Sequence, residues 1–234
     1  MKRLVQSELL DELPANDPRA IRSRKDLRRI NAWMGNARTM SRALKKYFRQ
    51  TAPNRITEIG AGDGEFLLNV ARKIGASDQH SALLLDQQDL LQPETQRRFE
   101  MLNWKVRAKR TDVFAFFANG AESSDVILTN LFLHHFSETQ LRELFDSVAN
   151  KTRVLIAVEP RRSPLAFFFS KLLWFIGCNS VTRHDAPISV RAGFRGDELS
   201  TLWPDQQNWE LTEQRTGLFS HVFIAQRKGQ YGRA

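Results

Sequence analysis

Glu58-Ile59-Gly60-Ala61-Gly62-Asp63-Gly64 is the stretch of this chain whose residue types and spacing say most about chemistry. Glycine at every second position allows a tight turn and lets a ligand lie against backbone, in the crevice beyond the carboxyl ends of parallel strands. The pattern is E-x-G-x-G-x-G rather than G-x-G-x-x-G, and Asp63 adds negative charge where a pyrophosphate would have to sit. A Walker loop is excluded because no Gly-Lys-Ser or Gly-Lys-Thr follows. Acids at the strand end and in the loop suit a positively charged ligand, such as one with an ammonium and a sulfonium. Other candidates lie further along. In Leu133-His134-His135-Phe136 either imidazole is a candidate general base, because it titrates near neutral pH. Glu159 precedes Pro160-Arg161-Arg162, and both an ion pair with those arginines and contact with a substrate are open to it. His184-Asp185 reads as an acid/base and orienting pair in a loop, and Arg191 as a holder of an anionic group. No metal site is read: Cys178 is the single cysteine, with no paired histidine near it.

The elements that must position these residues are short β-like runs separated by helical patterns, the signature of a parallel sheet with crossover helices. Candidate strands are 56–59, 82–86, 104–108, 126–129, 154–159, 209–212 and 219–225. Helical patterns occupy 66–74, 93–101 and 141–148, the last opened by the capping box Ser137-Glu138-Thr139-Gln140. Ahead of them, Asp17-Pro18 starts a helix with Ile21, Leu27, Ile30 and Met34 on one stripe. A second follows Gly35-Asn36 with Met40, Leu44, Tyr47 and Phe48, and Ala52-Pro53-Asn54 stops it. Residues 160–195 break the alternation. Within them 164–176 is apolar nearly all round, which fits a buried helix, a lid over an apolar substrate or an interfacial segment.

The loop, its place in the βα series and the acids that follow resemble the class I S-adenosylmethionine-dependent methyltransferases over residues 55–227. The resemblance implies a Rossmann-like α/β sheet of order 3-2-1-4-5-7-6 with the last strand antiparallel. It implies that Glu58 helps hold the methionine moiety, which Gly60, Ala61, Gly62 and Gly64 approach through backbone. Asp86 then faces the ribose hydroxyls, and Asp112 the adenine amino group with Val113 or Phe114 against the ring; a helix N-cap is the other reading of Asp112. Asn130 and Leu131 line the cofactor pocket. The Leu-His-His-Phe motif is similar to that of small-molecule O-, N- or C-methyltransferases, and no Asn-Pro-Pro-Tyr motif of adenine-base methylation stands after the fourth strand.

Composition sets the frame for partners. In 234 residues, 41% hydrophobic and 26% charged excludes a disordered chain. No run of about 18 apolar residues reads as a membrane span and no apolar leader follows Met1, so a cytoplasmic location is expected, peripheral to the membrane if bound there. The net charge of +9 is concentrated at one end: residues 1–50 hold 13 Lys and Arg against 5 Asp and Glu. Residues 1–52 therefore read as a basic helical extension, and 53–234 as the methyltransferase-like domain with a substrate-side insert at 160–195. The expected acceptor is a hydrophobic small molecule, aromatic or polyketide-like, free or on an acidic acyl-carrier protein. An anionic membrane surface also suits the charge. RNA suits it less, because Trp33, Tyr47 and Phe48 are the only aromatics in the extension.

Overall fold

The computed structural model describes residues 1–48 and 55–229. The helix stop expected at 52–54, and with it the boundary between 52 and 53, lies outside the described residues. Among those described, the apolar runs form one sheet: β1 Arg55–Ile59, β2 Ser81–Asp86, β3 Lys105–Arg110, β4 Ser124–Asn130, β5 Thr152–Pro160, β6 Trp209–Thr216 and β7 Ser220–Arg227. Their order is β3-β2-β1-β4-β5-β7-β6, with β1 to β5 parallel and β7 antiparallel to both its neighbours, as the resemblance implies. β6 continues to Thr216, beyond its expected end, because an edge strand keeps pairing while its outer residues Glu210, Thr212 and Gln214 are polar.

Helices cover both faces. On one, α3 (Asn36–Phe48) and α4 (Glu65–Ile74) bury Met40, Leu44, Leu67 and Leu68 against Ile56, Leu128 and Ile156. On the other, α6 (Val113–Ala118) and α7 (Glu138–Ala149) bury Phe116, Leu144 and Phe145 against Ile127, Leu155 and Phe223. Full burial of each such Leu or Phe contributes about 1.5–3 kcal/mol. The capping box at Ser137 forms as expected, with side chain and backbone of Ser137 and Gln140 reciprocally bonded. α5 (Pro93–Glu100) completes the crossover to β3.

Two local expectations are corrected. α2 (Pro18–Met34) begins at the Asp17 cap and ends at left-handed Gly35, but its buried face carries Ala20, Ser23 and Asp26, while Ile21 is 41% exposed. The reason is its neighbour. Ser23 bonds Thr182 at 2.9 Å and Asp26 accepts from Asn179 N–H at 2.8 Å, so a polar contact sets the helix rotation. The second correction is the loop expected around His184. That segment is α9 (Ser180–Ala192), started by Asn179 accepting from Thr182 N–H and holding Pro187 within it.

Before α9 come α8 (Pro164–Lys171) and a 3₁₀ turn, Leu173–Ile176. A buried helix is not what they form: Phe168 is 58%, Trp174 55% and Phe175 66% exposed. At the start of the chain, α1 (Leu9–Glu12) lies against α9. Asp185 anchors it by accepting from Leu9 and Leu10 N–H at 2.9 and 3.0 Å.

Candidate functional site

Between β1 and α4 the chain turns through Gly60, Gly62 and Gly64, whose φ values are 70°, 56° and 75°. Other residues avoid this left-handed region. Space excludes side chains as well: a Cβ would lie 2.3 Å from the Phe132 ring at Gly60 and 2.8 Å from Leu84 at Gly64. At Gly62 no atom lies that close, so this face of the loop is open. The loop is pinned to β2. Gly60 and Ala61 N–H donate to the Leu85 carbonyl at 2.9 and 3.0 Å, and Gly62 N–H donates to Asp86 Oδ2 at 2.8 Å. Asp86 Oδ1 accepts from Gln88 N–H at 2.9 Å, which fixes the carboxylate beside the loop.

Glu58 lies beneath these glycines, fully buried, and its Oε2 has no hydrogen-bond partner. Burial, and then the charges of Asp63 and Asp86, push its carboxyl well above the usual range. A buried acid without a partner favours its protonated form until a cation arrives. It lines a cavity of about 630 Å³ with Gly62, Asn130 and Leu131. A second cavity, of about 320 Å³, is lined by Asp86, Val113, Phe132, His134 and His135. Gly60, Leu131 and Leu27 line both, so the two are halves of one cleft beyond the carboxyl ends of β1, β2, β4 and β5. Asp63 is answered by Arg28 of α2, with Nη1 2.6 Å from Oδ2, an ion pair that closes over the loop.

The turn after β4 builds the other wall. Asn130 accepts from Asn36 Nδ2 at 3.0 Å and donates to Asn31 Oδ1 at 3.2 Å, tying the strand end to α2 and α3. Leu131 follows at φ 53°, a conformation that costs a non-glycine residue about 1–3 kcal/mol. Glu159 holds it there. Its carboxylate accepts from Phe132, Leu133 and His134 N–H at 3.1, 2.9 and 3.3 Å, and from His134 Nδ1 at 2.9 Å. The Glu159 side chain thus serves the turn, not the adjacent arginines; Arg162 bonds Glu198 instead.

His134 is buried between two carboxylates, with Nε2 3.3 Å from Glu8 Oε1. Burial lowers its pKa, but the bonds to Glu159 and Glu8 prevail and raise it to about 9. It therefore carries a proton at neutral pH and is poorly suited to remove one. Glu8 is held well below the usual carboxylate range, its burial outweighed by His134 and His135. His135 directs Nδ1 to the Phe132 carbonyl at 3.0 Å, and its buried Nε2 has no hydrogen-bond partner.

Neither a protein-family model nor a curated protein matches this sequence. Solved structures match the fold. An O-methyltransferase family protein from Burkholderia thailandensis superposes with a TM-score of 0.62 at 15% identity, over 92% of this chain and 62% of its own. The plantazolicin methyltransferase BamL, solved with a triazolic desmethyl analogue and S-adenosylhomocysteine, gives 0.67 at 10% identity, over 94% and 93%. Human N-acetylserotonin methyltransferase, solved with S-adenosylmethionine, gives 0.55 at 14%, over 93% and 61%. This chain has the class I methyltransferase fold. It spans about three fifths of the length of the Burkholderia and human proteins.

Within this methyltransferase fold the remaining candidates fall unevenly. Asp112 caps α6, accepting from Phe114 and Ala115 N–H at 2.9 and 3.0 Å, and its other oxygen takes Gln87 Nε2. Its neighbours Thr111 and Val113 line the cleft. His184 and Asp185 do face each other, at 2.9 Å, but Asp185 anchors α1 and His184 is half exposed. Arg191 is exposed at the end of α9, where its carbonyl takes Leu4 N–H. Glu8, Asp11 and Arg28 were not foreseen as site residues. No spacing could have revealed them, since Glu8 meets His134 across 126 residues.

Proposed function

We propose that this protein binds S-adenosylmethionine in the cleft and transfers its methyl group to a hydrophobic small molecule at an anionic membrane surface. The observation that carries the cofactor reading is the buried Glu58 carboxyl, unpartnered at Oε2 and lining the cleft behind three left-handed glycines. That oxygen suits an ammonium. Gly60 to Gly64 would hold the methionine part through backbone, Asp86 the ribose hydroxyls, and Thr111 and Val113 the adenine side. Bound there, the cofactor supplies an electrophilic methyl group on sulfur. The chain's own task is alignment: Glu159 clamps the turn that sets Leu131, and Phe132 and Phe136, with ring centroids 5.0 Å apart, offer an apolar wall to the acceptor.

Calorimetry with S-adenosylhomocysteine tests the cofactor reading. The wild type is expected to bind, and Gly62→Arg, which fills the open face of the loop, to lose binding altogether. Absence of binding by the wild type, or unchanged binding by the variant, rejects it.

The membrane surface is argued from an apolar patch. Leu165, Phe168, Trp174, Phe175 and Ile176 are exposed on α8 and the turn after it, and clustered exposed apolar side chains mark interaction sites. Trp33 extends the patch to the cleft, stacking on Phe219, which meets Phe169. Beside it α2 exposes Arg22, Lys25, Arg28 and Arg29, the last donating to the Ile176 carbonyl at 3.4 Å. Apolar and basic surface side by side is the composition of an interfacial segment. The protein should sediment with phosphatidylglycerol vesicles and not with phosphatidylcholine alone. Phe168→Glu combined with Phe175→Glu should weaken sedimentation at least tenfold, and an unchanged value rejects the surface. Among the described residues no helix is long and apolar enough to cross a membrane.

A further inference from the structure

The geometry points to a divalent-cation site made by Glu8, His134 and His135 at the cleft, with Asp11 beside His135, where a first-row ion such as zinc clasps the N-terminal segment to the turn after β4. This goes beyond methyl transfer and does not depend on it.

Orientation is the first argument. Each imidazole has Nδ1 tied to an acceptor, His134 to Glu159 at 2.9 Å and His135 to the Phe132 carbonyl at 3.0 Å. Both Nε2 atoms are thereby turned to the same place. Metal-binding histidines are held in this way, the other ring nitrogen donating to a carboxylate or a carbonyl. Glu8 is held too, by the Ser189 hydroxyl.

Distance is the second. His134 Nε2 lies 3.3 Å from Glu8 Oε1, and His135 Nε2 lies 3.5 Å from Glu8 Oε2 and 3.6 Å from Asp11 Oδ2. Charge-assisted hydrogen bonds settle at about 2.7–2.9 Å. Ligands about 2.0–2.2 Å from a tetrahedral ion stand about 3.3–3.6 Å apart, and each imidazole Nε2 lies at that distance from one oxygen of Glu8, His134 from Oε1 and His135 from Oε2. The donor atoms of Glu8, His134 and His135 all fall within 4.8 Å of one another. A third, separate observation is the buried His135 Nε2 without a hydrogen-bond partner.

Charge agrees. Three carboxylates, Glu8, Asp11 and Glu159, surround the two imidazoles, with Arg3 reaching the His134 carbonyl at 3.4 Å as the adjacent cation. Two nitrogens and two oxygens in a tetrahedron suit zinc and its first-row neighbours; magnesium demands an octahedron of oxygens. Glu8, His134 and His135 supply three ligands, and Asp11, 3.6 Å from His135 Nε2, faces the fourth position, so the ion ties the N-terminal segment to the turn. When it binds, His134 Nε2 releases its proton to solvent and lends its lone pair to the metal.

The test is titration of the full chain, stripped with EDTA, with cobalt(II) chloride. One equivalent should bind and give the intense visible absorption of tetrahedral cobalt, displaced by zinc(II) and not by equimolar magnesium(II). His135→Ala should lose the absorption and Asp11→Asn should bind at least tenfold more weakly, while Asp78→Asn, exposed and outside the cleft, should match the wild type. Absence of binding, an octahedral spectrum, or cobalt binding unaffected by His135→Ala and Asp11→Asn overturns the site. Asp11 is exposed, so its variant decides the matter if His135→Ala fails to fold. Calorimetry with S-adenosylhomocysteine on the metal-free protein reads the cofactor separately, so either conclusion can fail alone.

Discussion

Glu159→Ala is expected to lower the melting temperature by about 6–20 °C and to weaken S-adenosylhomocysteine binding at the same time. The stability figure follows from removing one partner of a buried ionic network, which costs about 3–5 kcal/mol, at about 2–4 °C per kcal/mol for a domain of this size. Glu159 is wholly buried and accepts from three successive backbone N–H groups and one imidazole. Alanine leaves all four donors without water or partner. The cofactor effect follows from the same contacts, because they keep Leu131 at φ 53° and Phe132 against Gly60, where the two halves of the cleft meet. Glu159→Gln separates the two consequences. Its single carbonyl can still accept, so an intermediate melting temperature is expected, with the amide N–H₂ group facing donors it cannot serve. Calorimetric melting in EDTA checks the order wild type, Gln, Ala. A loss below 2 °C in the alanine variant would show that the turn holds itself.

What could be read in the sequence was whatever is encoded by neighbours in the chain. Glu58 to Gly64 declares a strand end, a turn needing positive φ and a helix start within seven residues. Asp86 follows at the next strand end, and Ser137 with Gln140 caps α7 through bonds three residues apart. The failures share a physical cause, in that a distant contact decided the local outcome. Ile21 should face inward by its period, yet Asp26 and Ser23 dock on the start of α9, more than 150 residues away. His184-Asp185 reads as part of a loop, but Asn179 caps α9 and the helix runs through them and through Pro187. Glu159 beside two arginines reads equally as half an ion pair or as a substrate contact; the turn 25 to 27 residues earlier claims its carboxylate. His135 and the three groups around it, Glu8, Asp11 and His134, come from α1, the segment preceding it and the turn after β4, a meeting that only the packed chain produces.

Glu58→Gln is expected to act in opposite directions on ligand binding and on the free protein. Loss of a charged acceptor for an ammonium removes about 1.5–3 kcal/mol, so S-adenosylhomocysteine should bind roughly 10- to 150-fold more weakly. The ligand-free variant should melt at the wild-type temperature or above it. The sign follows from Glu58's raised pKa, which burial and the charges of Asp63 and Asp86 cause. Between its ordinary value near 4.5 and the raised one, the folded protein binds a proton that the unfolded chain does not, so stability falls as pH rises through that window. Glutamine removes the titration, which should flatten that fall. Binding should also expel the proton, because the ammonium favours the carboxylate. Calorimetry of the wild type in buffers of different ionisation enthalpy, at a series of pH values rising from about 4.5, should show up to one proton released within that window, and the variant none. A variant that is less stable yet binds as the wild type would make Glu58 a packing residue, and the ammonium would then have to be held elsewhere in the cleft.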